Sequence, residues 1–149
     1  MRLLDDIELI NPEYYEEQRP WGKFIRFSLN NPCTPKILCV NRGQALSLQY
    51  HEHRDQHYVI LDDGFLVTFS TEPVPARYGN DLSYVRSWWP FCKRVVRPKP
   101  GEQFYFAKRV VHRVEYNGER EAGRIFEIAY GMNDEEDITR LEDRYGRDG

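Results

Sequence analysis

The 149 residues carry 21 basic and 24 acidic side chains, a formal charge of −3, and so lack the basic surplus expected of a nucleic-acid binder. The length fits one domain, residues 1–149, with a single core, and ten tyrosines, eight phenylalanines and three tryptophans favour strands. Cys33, Cys39 and Cys92 show no C-x-x-C spacing, the first residues lack the apolar core of a signal peptide and no apolar run approaches a membrane span, which together argue against a disulfide framework or a membrane protein and for the cytoplasm.

In chain order, residues 1–18 read as an N-terminal arm that mixes acids with apolar side chains and suits packing on a partner subunit. Arg19-Pro20-Trp21-Gly22 breaks the chain at a corner anchored by Trp21 and opens a strand over 23–29. Asn30-Asn31-Pro32 makes a turn, and strands follow at 36–40 and 45–50, separated by Asn41-Arg42-Gly43. Asp62-Asp63-Gly64 reads as a hairpin turn between strands at 58–61 and 65–69, with Gly64 supplying a positive φ. Residues 70–98 form an aromatic insertion in which 82–88 reads as a further strand and Trp88-Trp89-Pro90-Phe91 packs over a barrel opening or another subunit. Short strands at 103–106, 110–116 and 124–130 complete a barrel over 19–131. The charged tail, 132–149, begins Asp134-Glu135-Glu136-Asp137 and places Arg140 later, the charge order of a short helix.

Three of the four histidines fall within 49–58. Alternation of Leu46, Leu48 and Tyr50 predicts an extended chain, so His51 and His53 point to one face, and His57 follows as the chain turns into the next strand. His112 sits in a distant strand, and a closed barrel turns distant strands towards one interior. With no histidine left over, His51, His53, His57 and His112 are candidate ligands of one divalent metal ion; imidazole suits Zn, Fe, Ni, Co, Cu or Mn, so the ligands do not name it.

The run Gly43-x7-His51-x-His53-x3-His57-x6-Gly64 resembles the first cupin motif, with His57 in the place usually held by glutamate and a longer gap after the first glycine, and Gly101-x10-His112 has the spacing of the second. More narrowly, Arg19-Pro20-Trp21-Gly22, Leu46-Ser47-Leu48-Gln49-Tyr50-His51, His53-Arg54, His112-Arg113 and Arg140-Leu141-Glu142-Asp143-Arg144-Tyr145-Gly146-Arg147 resemble, in order, the cupin domain of type II mannose-6-phosphate isomerases. The resemblance implies an all-β fold: a cupin jelly-roll barrel, the double-stranded β-helix, with a short helical C-terminal segment. The chain departs from the pattern at Gln56, where the family has glutamate, at Tyr58 for tryptophan, at Ala107 and Arg109 for proline and glycine, and in the extra residues of 70–98.

The activity implied is interconversion of mannose 6-phosphate and fructose 6-phosphate, a proton transfer between C1 and C2 through an enediol. That chemistry needs a base, a group that stabilises the oxyanion and a grip on the phosphate, and a divalent ion with open positions would supply the second. Glu127, on an apolar strand and matching a family glutamate, is the candidate base; its plainer role is a hydrogen-bonded barrel residue. Gln49 alternates with Leu48 and Tyr50 and so reads as solvent-facing, with His51 turned inward past a bulge. Together with Arg54 it flanks the histidines, and Arg54, Lys108, Arg109 and Arg113 are candidate phosphate contacts. The partner expected is a small-molecule sugar phosphate, with no nucleic acid, no membrane and a homodimeric assembly. The alternatives are a non-catalytic sugar-phosphate-binding cupin and an Fe(II)-dependent cupin dioxygenase.

Overall fold

The computed structural model describes residues 15–27, 29–30, 33–132 and 134–147, so most of the proposed N-terminal arm and part of the 30–32 turn lie outside the described residues. Among the described residues eleven strands form: β1 (Tyr15–Arg19), β2 (Gly22–Arg26), β3 (Thr34–Asn41), β4 (Leu48–Tyr50), β5 (Arg54–Ile60), β6 (Phe65–Pro73), β7 (Lys93–Val96), β8 (Gln103–Phe106), β9 (Val110–Tyr116), β10 (Ala122–Gly131) and β11 (Thr139–Glu142). All pairings are antiparallel, in one sheet ordered β1-β2-β3-β10-β5-β8 and a second ordered β11-β4-β9-β6-β7. The fold is all-β, a cupin jelly roll of two facing sheets, as the sequence implied.

Strict alternation builds the interior. Arg54, Gln56, Tyr58 and Ile60 of β5 point inward while Asp55, His57 and Val59 point out, and β3 and β10 alternate likewise. One part of the space between the sheets is filled by Val40, Ile60, Phe65, Val67, Tyr116 and Ile125. A second apolar cluster, Leu48, Tyr50, Val74, Val85, Trp89, Val111 and Leu141, joins the second sheet to the insertion, so β4 is buried on both faces.

Three sequence expectations are corrected. Residues 62–64 are not a hairpin, because β5 and β6 belong to different sheets; the Asp-Gly step is a corner. Gly64 has φ +106°, and a Cβ there would meet the Gly118 Cα at 2.3 Å, so close backbone approach as well as φ requires glycine. Residues Leu82–Trp88 form a helix, α1, not a strand: the Asp81 side chain caps it by accepting from the Ser83 and Tyr84 amides, and Val85 and Trp89, four apart, share its buried face. The tail is a strand rather than a helix. The Asp134 carboxylate and carbonyl accept from the Glu136 and Asp137 amides to close a turn, and β11 then pairs with the open edge of β4, which outweighs the local charge order. Among the described residues no helix is long and apolar enough to cross a membrane.

Candidate functional site

The polar groups of the interior gather where β4, β5, β9 and β10 meet. Gln49 of β4 stands opposite His112 of β9, and Glu127 of β10 stands opposite Tyr58 of β5 and Lys36 of β3. His51 follows directly on β4. Its ring centroid lies 5.3 Å from that of His112, and the two residues are 3% and 2% exposed. The Nδ1 of His51 donates to the Asp137 carbonyl (2.6 Å) and that of His112 to the Val110 carbonyl (2.9 Å), which fixes both tautomers and leaves each Nε2 as an acceptor. The His51 Nε2 is 3.5 Å from Gln49 Nε2, whereas the His112 Nε2 is buried without a partner. Phe106 lies flat on the His112 ring (4.7 Å between centroids, 7° between planes) and Tyr58 meets it edge-on. Burial pushes the His112 pKa down to about 4 and, with the Arg54 cation and His112 beside it, drives that of His51 well below its ordinary value. Both rings are therefore neutral near pH 7.

In front of this pair, with Gln49 between, is a partly open cavity of about 50 Å³. A buried water needs ~10–15 Å³, so the cavity holds about four water-sized positions. Its polar walls include Arg19, Lys36, Gln49, Arg54, Glu127, Glu135 and Arg140, and its apolar walls include Trp21, Phe24, Leu38 and Leu46. Trp21 is thus a core anchor that also closes the cavity. Lys36, 3% exposed, ion-pairs with Glu135 (2.6 Å) and lies over the Phe24 ring (4.6 Å). Arg54, 3% exposed, donates from NH1 to the Asp134 carbonyl (2.7 Å). The Tyr58 hydroxyl is held well above its ordinary pKa, first by burial and then by the Glu127 carboxylate beside it.

The structure brings together some of the residues singled out from the sequence and separates others. His51, His112, Gln49, Arg54 and Glu127 converge. The expected ligands His53 and His57 do not. The chain leaves β4 at Tyr50 and bends through 51–53 before β5 begins, so parity does not carry across the bend. His53 ends exposed, with its amide on the Asp137 carboxylate. His57 has the outward parity of β5 and bonds Gln103 (2.7 Å). Gln49 is buried rather than solvent-facing, because the insertion covers the other side of β4. Lys108 is exposed, with its amide on Asp55, and Arg113 pairs with Glu142 at the surface; neither lines the cavity. Arg109, at φ +66°, bonds the Val74 and Gly79 carbonyls and Glu52, and so clamps the insertion. The polar cavity residues not assigned to the site from the sequence were Arg19, Lys36, Ser47, Gln56, Glu135, Arg140 and Arg147. A signal existed for Lys36, which shares the parity of Leu38 and Val40 and so had to face inward.

Catalytic metal sites commonly offer three or more protein donors. His51 and His112, with Nδ1 anchored and Nε2 free, have the form of two ligands, and the unpartnered His112 Nε2 suits such a role. The set stops there: His53 and His57 are elsewhere, Gln56 replaces the carboxylate of the family pattern, and the Arg54 cation stands beside His51. Among the described residues no group of three or more His, Cys, Asp or Glu side chains is placed to hold an ion. The four-histidine centre expected from the sequence does not fit this arrangement.

Residues 10–87 match the family described as mannose-6-phosphate isomerase C-terminal. The chain is 27% identical over 132 residues to mannose-1-phosphate guanylyltransferase ManC of Salmonella typhimurium, covering 89% of this chain and 23% of that protein. It is 28% identical to alginate biosynthesis protein AlgA of Pseudomonas aeruginosa, covering 89% and 23%. It therefore spans about a quarter of the length of these curated relatives. Among solved structures it resembles capsular polysaccharide assembling protein CapF of Staphylococcus aureus (TM-score 0.63, 11% identity, 87% of this chain and 34% of that one). Oxalate decarboxylase of Bacillus subtilis is similar at TM-score 0.62 and 11% identity, covering 87% and 30%, and these two likenesses concern the fold alone.

Proposed function

The chain belongs to the mannose-6-phosphate isomerase C-terminal family, and from that membership we propose that it takes a hexose phosphate into the cavity between its sheets and interconverts mannose 6-phosphate and fructose 6-phosphate. The observation that carries this reading is the Glu127 carboxylate, 4% exposed, lining a chamber together with the Lys36 and Arg54 cations. Glu127 takes the proton from C2 of the aldose, or C1 of the ketose, and returns it to the neighbouring carbon. The charge that develops on the enediol oxygen is met by the side-chain amide N–H groups of Gln49 and Gln56, which act strongly in a chamber with little water, while the Arg54 and Lys36 cations serve the phosphate at the far end of the sugar. Gln49 and Gln56 orient the sugar hydroxyls, and the neutral His51 and His112 rings stand behind Gln49 as an uncharged backing. No step is assigned to a metal, because the donors do not fit one.

The test is incubation of the protein with fructose 6-phosphate and chromatographic detection of mannose 6-phosphate. Glu127→Gln is expected to lower kcat by about 10²–10⁴-fold, the ordinary contribution of a positioned base, with the circular dichroism spectrum unchanged. Absence of mannose 6-phosphate with the unaltered protein rejects the isomerase. A second reading, a domain that binds sugar phosphates without turning them over, draws on Gln56 standing where the family pattern has glutamate. Saturable binding of fructose 6-phosphate with no product supports it. The dioxygenase alternative relied on the same four histidines and loses that support.

A further inference from the structure

Two guanidinium nitrogens in the cavity wall have no acceptor. The Nε of Arg54 and the Nε of Arg140 are buried without a hydrogen-bond partner, and Arg54 is 3% exposed. A buried donor left unpaired is destabilising, more so on a charged group, so two on residues that line one small cavity call for an acceptor from outside the chain.

The surrounding charge is of the sign such an acceptor needs. Arg19, Lys36, Arg54, Arg140 and Arg147 line the cavity against the carboxylates Glu127 and Glu135, five cations to two anions. Asp143 and Glu17, outside the cavity, are ion-paired with Arg147 and Arg19, and with them counted the local surplus is 5 − 4 = +1, against a formal charge of −3 on the whole chain. Desolvation, then Arg147 and Arg19 among its neighbours, push the Arg140 pKa down, which shows these cations crowding one another. One anion is already present: Glu135 reaches in from the tail, with Oε1 2.6 Å from the Lys36 Nζ and Oε2 3.4 Å from the Arg19 guanidinium. The space left beside it, about 50 Å³, admits a phosphate head group and not a hexose phosphate. Binding of a phosphate against Lys36 therefore requires the Glu135 side chain to withdraw.

We propose that this cavity is a phosphomonoester site in which the Nε–H groups of Arg54 and Arg140 donate to the phosphate oxygens, and that Glu135 is a built-in competitor which the incoming phosphate displaces from Lys36. The proposal rests on the sugar-phosphate reading and specifies where the phosphate end binds. It replaces Lys108 and Arg113, which lie outside the cavity, with Arg140 of β11 and Lys36 of β3. Guanidinium groups match phosphate geometry, and displacing a carboxylate from an ammonium leaves no buried charge unpaired, since the phosphate takes its place.

The test is isothermal titration with inorganic phosphate, fructose 6-phosphate and fructose. The unaltered protein, Glu135→Gln, Arg140→Gln and Arg140→Lys are compared, each checked for an unchanged circular dichroism spectrum. Phosphate and fructose 6-phosphate are expected to bind and fructose not to. Glu135→Gln should tighten phosphate binding at least threefold, Arg140→Gln should weaken it at least tenfold, and Arg140→Lys should restore part of the loss. Equal phosphate affinity in Arg140→Gln and the unaltered protein, or no gain in Glu135→Gln, overturns the site. The outcome is separable from that of the isomerase assay. Phosphate affinities that shift as stated without turnover uphold the site and reject the isomerase. Turnover with a KM for fructose 6-phosphate unmoved by Arg140→Gln rejects the site and upholds the isomerase.

Discussion

His112 can be buried under Phe106 and Tyr58 only while its ring is neutral. Its pKa falls from 6.5 to about 4 on folding, so between those values the unfolded chain binds the proton that the folded one refuses. The stabilisation is complete above pH 6.5 and is lost as the pH falls towards 4, a loss on the order of 3 kcal/mol, with His51 adding in the same direction. Urea denaturation of chelator-treated protein should therefore show stability climbing across that window and levelling above it; a profile flat from pH 4 to 7 contradicts the burial of a neutral ring. At this scale the sequence was half legible. The chemical identities of His51, His112, Arg54 and Glu127 drew attention to them, and all four do converge. Which other histidines joined them depended on where a strand ended, at Tyr50 rather than beyond His53, and no side-chain pattern in 49–58 marks that end.

Among the elements, β11 connects the layers. Leu141 packs outward among Val85, Trp89 and Leu48, and the Arg86 guanidinium of α1 bonds its carbonyl at 3.0 Å, while the neighbouring Arg140 enters the cavity on the other side. Leu141→Ala should cost about 2–5 kcal/mol of stability, as for other buried leucines. It should also weaken phosphate binding several-fold through looser placement of Arg140. Urea denaturation and calorimetric titration check the two effects, and a stability loss with unchanged phosphate affinity would show that the outer packing does not position Arg140. The same region shows why local sequence cues misled. Leu82, Val85 and Trp89 have helical spacing behind a capping aspartate, but the aromatic content of the segment pointed to a strand. In the tail, acids at its start pointed to a helix until the unpaired edge of β4 decided the matter.

At the scale of the molecule, two facing sheets were legible because β3, β5 and β10 alternate over seven or more residues each, and only an enclosed interior satisfies such patterns. Which corner joins which sheet was not legible: the Asp-Gly step before β6 has the residues of a hairpin and serves as a crossing between layers. The enclosure also divides the four imidazoles. His51 and His112 are shut between the sheets, whereas His53 is exposed and His57 lies on the outer face of β5. An acylating reagent such as diethyl pyrocarbonate should consequently modify two rings of the native protein quickly and reach the remaining pair only as the molecule unfolds. The slow phase, followed by absorbance, would then serve as a clock for barrel opening without any engineered label.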